Sequence, residues 1–282
     1  MLSALSRSLR RAVGAPPPPP VVPVVRLAGF IGALSPLRPG LTLSGLAPVL
    51  ERAFRWPGAK AVALAINSPG GSAAQSSLIH SRIRQLAAER KLTVHAFVED
   101  VAASGGYWLA CAGDEIHADA TSIVGSIGVV SAGFGFPGLL ERIGVERRLH
   151  ATGPHKGMLD PFRPEQPGDV ERLKEIQADL FESFKALVRQ RRGEKLKAPE
   201  AELFTGAVWS GRRAQEMGLI DGLGEMRQTL RARYGEKVRL VAVGARRGWL
   251  ARRLRPQVEP GEWAAAALAA LEERMLWSRY GL

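Results

Sequence analysis

Cysteine is nearly missing from the 282-residue chain. Cys111 stands alone, so no intrachain disulfide and no cysteine-based metal site can form. It lies in an apolar, helix-forming context and reads as a small core residue. Long apolar runs are missing too. The N-terminal apolar stretch and the run Ala264–Leu271 are both too short to span a bilayer, so no transmembrane helix is expected. Histidines number only five, which leaves few candidates for the commonest catalytic base. Neither an internal repeat nor a nucleic-acid-binding motif is found, and no nucleic-acid partner is expected.

The composition that remains is that of a folded, water-facing protein, with 46% hydrophobic and 23% charged residues and ample length for a core. Lysine and arginine exceed aspartate and glutamate 39 to 27, a net charge of +12. The basic residues are spread over tails and helix faces. The partner they suggest is an anionic membrane surface touched peripherally, although a GC-rich genome also yields arginine-rich chains. The expected location is cytoplasmic or peripheral to a membrane.

Residues 1–20, MLSALSRSLRRAVGAPPPPP, form a basic, proline-rich tail without an acid. Leu2, Leu5, Leu9 and Val13 have helical spacing, similar to an organellar presequence or a surface-binding helix; a disordered tail is the plainer reading. Pro16–Pro20 suit an extended spacer. Residues 21–245 form the globular part. Residues 246–282 read as a basic extension with a helix from Glu262.

Within the globular part, 21–32 and 61–71 are continuous apolar runs, which suit parallel strands covered on both faces. Leu46, Val49, Leu50, Ala53 and Phe54 recur at helical spacing. In 72–90 a stripe of Ala74, Leu78, Ile79, Ile83, Leu86 and Ala87 predicts a second helix. A third strand, 93–98, leads into Ala-Ala-Ser-Gly-Gly and another helix. A short glycine-punctuated segment follows at 121–130, then a long amphipathic helix over 165–192. Residues 204–224 give a turn, a short helix stopped by Gly218 and a second turn, and 238–244 a last strand. Strands alternating with helices, with glycines at the strand ends, predict an α/β fold.

Ser104 sits at the elbow between the third strand and the next helix. There its hydroxyl serves either as a helix cap or as a nucleophile beside amides able to receive an oxyanion. A nucleophilic serine needs a base. His80 and His95 lie within a helix and a strand and read as structural. His117 and His150 are weaker candidates, and His155 competes with its neighbour Lys156.

Asn67-Ser68-Pro69-Gly70-Gly71, Ala103-Ser104-Gly105-Gly106-Tyr107, Gly125-Ser126-Ile127-Gly128-Val129 and Lys156 in HKGMLDPFRP occur in this order. Together with Gly218-Leu219-Ile220-Asp221 and Gly224, they resemble the signal peptide peptidase A family of Ser-Lys peptidases, over about residues 21–244. A Clp-type Ser-His-Asp site would place histidine about two dozen residues after the serine. Ser126–Val130 hold none, and lysine becomes the better base. Lys156 follows Ser104 by 52 residues, compatible with the family.

The resemblance implies a Clp/crotonase-like, repeated β-β-α superhelical fold, with 21–245 as the peptidase domain. It also implies a ring of identical subunits that share sites between neighbours. Ser104 and Lys156 would be the catalytic dyad, the Gly71 and Gly105 amides the oxyanion hole, and Ser126 the residue orienting the lysine. Hydrophobic peptides such as signal-peptide remnants would be the substrates, with no metal or organic cofactor. A lysine base must be neutral, whereas free lysine has a pKa of about 10.4. Met158, Leu159 and Phe162 are the expected apolar surroundings, and Asp160 the group that would oppose them. Two other functions fit parts of this pattern: an acyl-CoA-handling crotonase relative, which needs the paired amides but no serine, and a non-enzymatic ring scaffold.

Overall fold

Three apolar strands lie at the centre of the main sheet: Val21–Ala28 (β1), Ala61–Ser68 (β4) and Thr93–Ala103 (β5). A computed structural model describes residues 18–35, 38–244 and, near the C-terminus, 270–271, 274–275 and 277–281. The expectations for the N-terminal tail before residue 18, and most of those for the C-terminal extension, lie outside the described residues. Ala33–Ser35 (β2) and Arg38–Pro39 (β3) form a separate two-stranded sheet. The main sheet runs β10-β1-β4-β5-β6-β9 with every neighbour parallel. Here β6 is Glu115–Ala118, β9 is Gly222–Leu223 and β10 is Arg239–Ala242. The end of β5 pairs with Ile123–Gly125 (β7), and β7 pairs antiparallel with Val208–Ser210 (β8). The chain is mixed α/β, as its alternating pattern predicts.

The strands read as unbroken apolar runs because both faces are covered. Ala61 and Ala63 pack with Val22, Phe97 and Leu230, against which Met226 and Tyr234 also lie. Leu230 belongs to the helix Met226–Tyr234. The alternate residues Val62, Leu64 and Ile66 are equally buried and project to the opposite face. Burying each such branched side chain stabilises the fold by about 1.5–3 kcal/mol. Leu43–Phe54 (α1) buries the stripe read from the sequence: Leu46, Val49, Leu50, Ala53 and Phe54.

Three expectations need correcting. The first strand ends at Ala28 rather than continuing to 32, with Ile31 joined only by isolated bridges. In Ala73–Arg90 (α2), Ile79, Ile83, Leu86 and Ala87 are buried, but Ala74 and Leu78 are exposed and Ser76 takes the inner position. The helix is turned so that Ser76 lies where a Cβ on Gly105 would come within 2.4 Å of its Oγ. The third strand does not stop at residue 98 but runs on to Ala103.

Two compact units are present. The first comprises residues up to Ile127 and from Leu187 onward, and contains the whole main sheet. The second, Gly128–Ala186, holds the helix Pro137–Arg142 and most of the long helix Pro167–Arg192 (α4). Phe184 is its one buried residue. Its loops are tied by Phe136 N–H donating to Pro161 O at 2.6 Å and by Phe136 stacking on Phe162 at 5.5 Å. Among the described residues no helix is long and apolar enough to cross a membrane.

Candidate active site

A bulge aims the end of β5. Between the pairs Ile66–Val98 and Ser68–Ala102 the partner strand advances two residues and β5 advances four. The two extra residues, Glu99 and Asp100, are held by bonds from remote side chains. Asn67 Nδ2 donates to Asp100 at 2.6 Å, Val101 N–H donates to Asn67 Oδ1 at 3.2 Å, and the Ser122 hydroxyl donates to Glu99 O at 2.5 Å. Such a bulge lets one strand pair with two: β6 along its first half and β7 along its last three residues.

At the end of this strand Ser104 adopts φ 52°, ψ −122°, outside the conformations a non-glycine residue favours. Holding it there costs on the order of 1–3 kcal/mol. Its amide donates to Gly125 O at 2.8 Å, and the six-residue helix Gly105–Ala110 (α3) begins immediately after it. Thr42, Ser72, Ser210 and Glu225 each cap a helix with their side-chain oxygen. Ser104 occupies the same position and makes no capping bond. Among the described residues its hydroxyl makes no hydrogen bond, contrary to the capping reading.

The Pro69-Gly70-Gly71 turn comes against the elbow from β4. Ile31 N–H donates to Gly70 O at 2.9 Å and Ser72 N–H to Ile31 O at 2.7 Å, which clamps the turn on both sides. A Cβ at Gly70 would lie 2.8 Å from Ser104 Cβ and 3.0 Å from Gly105 N, so only glycine allows this approach. A Cβ on Gly105 would be 3.4 Å from Gly71 N. Among the described residues neither the Gly71 nor the Gly105 amide donates a hydrogen bond. Two free N–H groups therefore flank the serine. Gly70 was not singled out from the sequence; the doubled glycine after proline was the available signal.

Ser126 follows Gly125, whose pairing with Ala103 sets it beside the elbow. It is half-buried at φ 52°, its amide donating to Ala207 O at 2.7 Å. Ser104, Gly71, Gly105 and Ser126 thus come together in the first unit.

Lys156 belongs to the second unit, in a turn where its amide donates to Gly153 O at 3.3 Å, and its side chain is exposed. The apolar surroundings expected from Phe162 are spent on Phe136, and Phe162 also receives Arg147 over its ring at 5.8 Å. Asp160 is occupied as well. It accepts from Phe162 N–H at 3.0 Å and Arg147 Nε at 3.1 Å, and these bonds hold its carboxyl below the usual range.

Three of the histidines are structural. His95 lies fully buried nine residues before Ser104, about 25–30 Å away at ~3.3 Å per residue, and bonds Tyr234 Oη at 2.8 Å. His117 stacks on Phe97 at 5.4 Å. Burial, reinforced by the Arg191 charge, pushes His80 down to about 4. His150 and His155 are exposed in the second unit.

The sequence pattern of peptidase family S49 matches residues 86–239, more than half of the chain and inclusive of Ser104, Ser126 and Lys156. A Brucella abortus protein named Na(+)/H(+) antiporter NhaA is 52% identical over 93% of this chain and 37% of its own length. The chloroplastic serine protease SPPA of Arabidopsis thaliana is 35% identical, over 61% of this chain and 25% of that protein. A putative signal peptide peptidase SppA of Enterococcus faecium is 31% identical, over 63% and 51%. The chain thus spans between a quarter and about half of the length of these relatives.

Proposed function

The chain belongs to peptidase family S49, and from that premise we propose that it is a serine endopeptidase working through a Ser104–Lys156 dyad and an acyl-enzyme. The observation that carries the reading is Ser104 itself: a strained elbow serine with an uncommitted hydroxyl, flanked by the free amides of Gly71 and Gly105. Neutral Lys156 takes the hydroxyl proton as Ser104 Oγ attacks the scissile carbonyl carbon. The two amides hold the oxyanion, and the lysine returns the proton to the leaving amine as the C–N bond breaks. Water, deprotonated by the same lysine, then releases the acyl group from Ser104. The Ser126 hydroxyl orients the lysine.

The proposed substrates are extended hydrophobic peptides, signal-peptide remnants among them. A cleft of about 690 Å³ within the second unit, lined in part by Phe134, Phe136, Leu159 and Leu173, supports this preference. The fold proposed is Clp/crotonase-like, with residues 21–245 as the peptidase domain between basic tails at 1–20 and 246–282. The working form is a homo-oligomeric ring, cytoplasmic or touching an anionic membrane peripherally. Nine of the fourteen exposed large hydrophobics among the described residues lie in the second unit. A neighbouring copy covering them would also desolvate Lys156, which its own unit leaves exposed. The antiporter name stays with the Brucella protein, of which this chain matches little more than a third.

Hydrolysis of fluorogenic hydrophobic peptides by the wild type and by Gly71→Ala tests the reading. Turnover that falls sharply in the variant is expected. A wild type that binds acyl-CoA and cleaves no peptide would turn the assignment to a crotonase-like acyl binder.

A further inference from the structure

Two arginines bond the backbone carbonyls of Cys111, Ala112 and Gly113, the three residues that follow the short helix α3. Arg191 Nε donates to Cys111 O and Arg191 Nη2 to Gly113 O, each at 2.9 Å; Arg84 Nη1 donates to Ala112 O at 3.0 Å. Cys111, Ala112 and Gly113 are buried, so these carbonyls have little access to water in place of the arginines. The next residue closes the assembly. Asp114 N–H donates to Val94 O at 2.7 Å, and its carboxylate accepts from Val94 N–H at 2.9 Å. The same carboxylate pairs with Arg84 at 2.8 Å and Arg191 at 3.2 Å. Val94 is the second residue of β5. The strand leading into Ser104 and the helix leading out are thus joined at their far ends by one carboxylate and two guanidiniums.

Arg191 has the larger share of this clamp, reaching two carbonyls and the carboxylate with one planar fork that an ammonium cannot reproduce. Its own place is fixed by the next residue. Arg192, with a side chain only 2% exposed, pairs with Asp221 at 2.7 Å and donates twice to Gly218 O.

We propose that Arg191 is a positioning residue for the peptidase reaction: by fixing the C-terminal end of α3 it aims the Gly105 amide and the Ser104 hydroxyl at the other end. The helix is only six residues, about 9 Å at ~1.5 Å per residue, so a shift at one end is felt at the other. A misplacement of about 1 Å at reacting groups costs on the order of a hundredfold in rate. The inference rests on the assignment of Ser104 as nucleophile.

The test compares Arg191→Lys and Arg191→Ala with Arg189→Ala, a control on the same helix whose guanidinium pairs with Glu200. Readouts are kcat and KM on a hydrophobic peptide, the rate and pH profile of fluorophosphonate labelling, and Tm. Both Arg191 variants are expected to lose about ten- to a hundredfold in kcat and labelling rate. KM and the shape of the pH profile should hold, millimolar guanidinium should partly rescue Arg191→Ala, and the control should match the wild type. Should Arg191→Ala fail to fold, Arg191→Lys decides alone. Arg191 variants that lose Tm but keep wild-type kcat per folded site would overturn the positioning role and leave a purely structural one. A wild type inert to the probe is a different failure: it removes the Ser104 assignment, and the positioning role falls with it.

Discussion

In the unit that carries Ser104, Val22, Leu27, Leu64, Ile66, Ile79 and Ile83 are completely buried; in the unit that carries Lys156, Phe184 is the one buried residue. Leu139, Ile143 and Val145 of the second unit are each at least half exposed. On the proposed Ser104–Lys156 dyad, the difference separates two ways of preparing a catalytic group. A nucleophile and its oxyanion amides need fixed geometry, which a close-packed sheet supplies from within. A lysine base needs loss of water around its amine. An exposed turn in a unit without its own core acquires that only from a covering surface, and on our proposal a second copy of the chain supplies it.

The sharpest way to break this comparison is to remove each group in turn. Ser104→Ala and Lys156→Ala should each reduce peptide hydrolysis by at least about a thousandfold, as loss of either member of a nucleophile–base pair does. Circular dichroism should show both variants folded. Mixing the two after co-refolding should restore part of the activity if neighbouring subunits share a site. Verified mixed rings with no recovery would confine the dyad to one chain.

Gly70→Ala probes the packed unit. Its new Cβ would meet Ser104 Cβ at 2.8 Å at a φ of +106°. We expect kcat to fall about a hundredfold or more, comparable to loss of an oxyanion donor. An unchanged kcat would mean that the elbow tolerates displacement. In the other unit, replacing Leu139, Ile143 and Val145 together with serine should lower the assembled mass measured by light scattering. Circular dichroism should show the dissociated subunit still folded, since none of the three is buried within it. An unaltered mass would show that this face is not the covered one.

The smallest effect concerns pH. Folding lowers the pKa of His80 from 6.5 to about 4. As pH falls the unfolded chain therefore takes up the proton first. Stability from neutral His80 is complete above pH 6.5 and is lost progressively toward pH 4, by at most about 3 kcal/mol. Denaturant titrations across that window should give a shallower decline for His80→Leu than for the wild type.

The parts of this account that could be read from the sequence are those written in local pattern. The unbroken apolar run of β4, the stripe of α1 and the glycines after Asn67-Ser68-Pro69 each report their own surroundings. What could not be read depends on residues far apart in the chain. The bulge at Glu99–Asp100 is set by Asn67 and Ser122, so the strand was expected to stop at residue 98. Ala74 and Leu78 fit an apolar stripe, but the approach of Ser76 to Gly105 turned them outward. Arg84, Asp114 and Arg191 look like surface charges until the fold brings them to the end of α3. Lys156 is the reverse case: Met158, Leu159 and Phe162 were its expected apolar surroundings, yet its side chain is exposed and Phe162 stacks on Phe136.

The central claim is an activated serine at the elbow, and labelling by a fluorophosphonate probe addresses it most directly. Assembled wild type, Ser104→Ala and Lys156→Ala would be compared, with the modified residue located by peptide mass spectrometry. A single adduct on Ser104 is expected, absent from Ser104→Ala and reduced to background in Lys156→Ala. An assembled wild type that takes no label, or takes it at another serine, would contradict it.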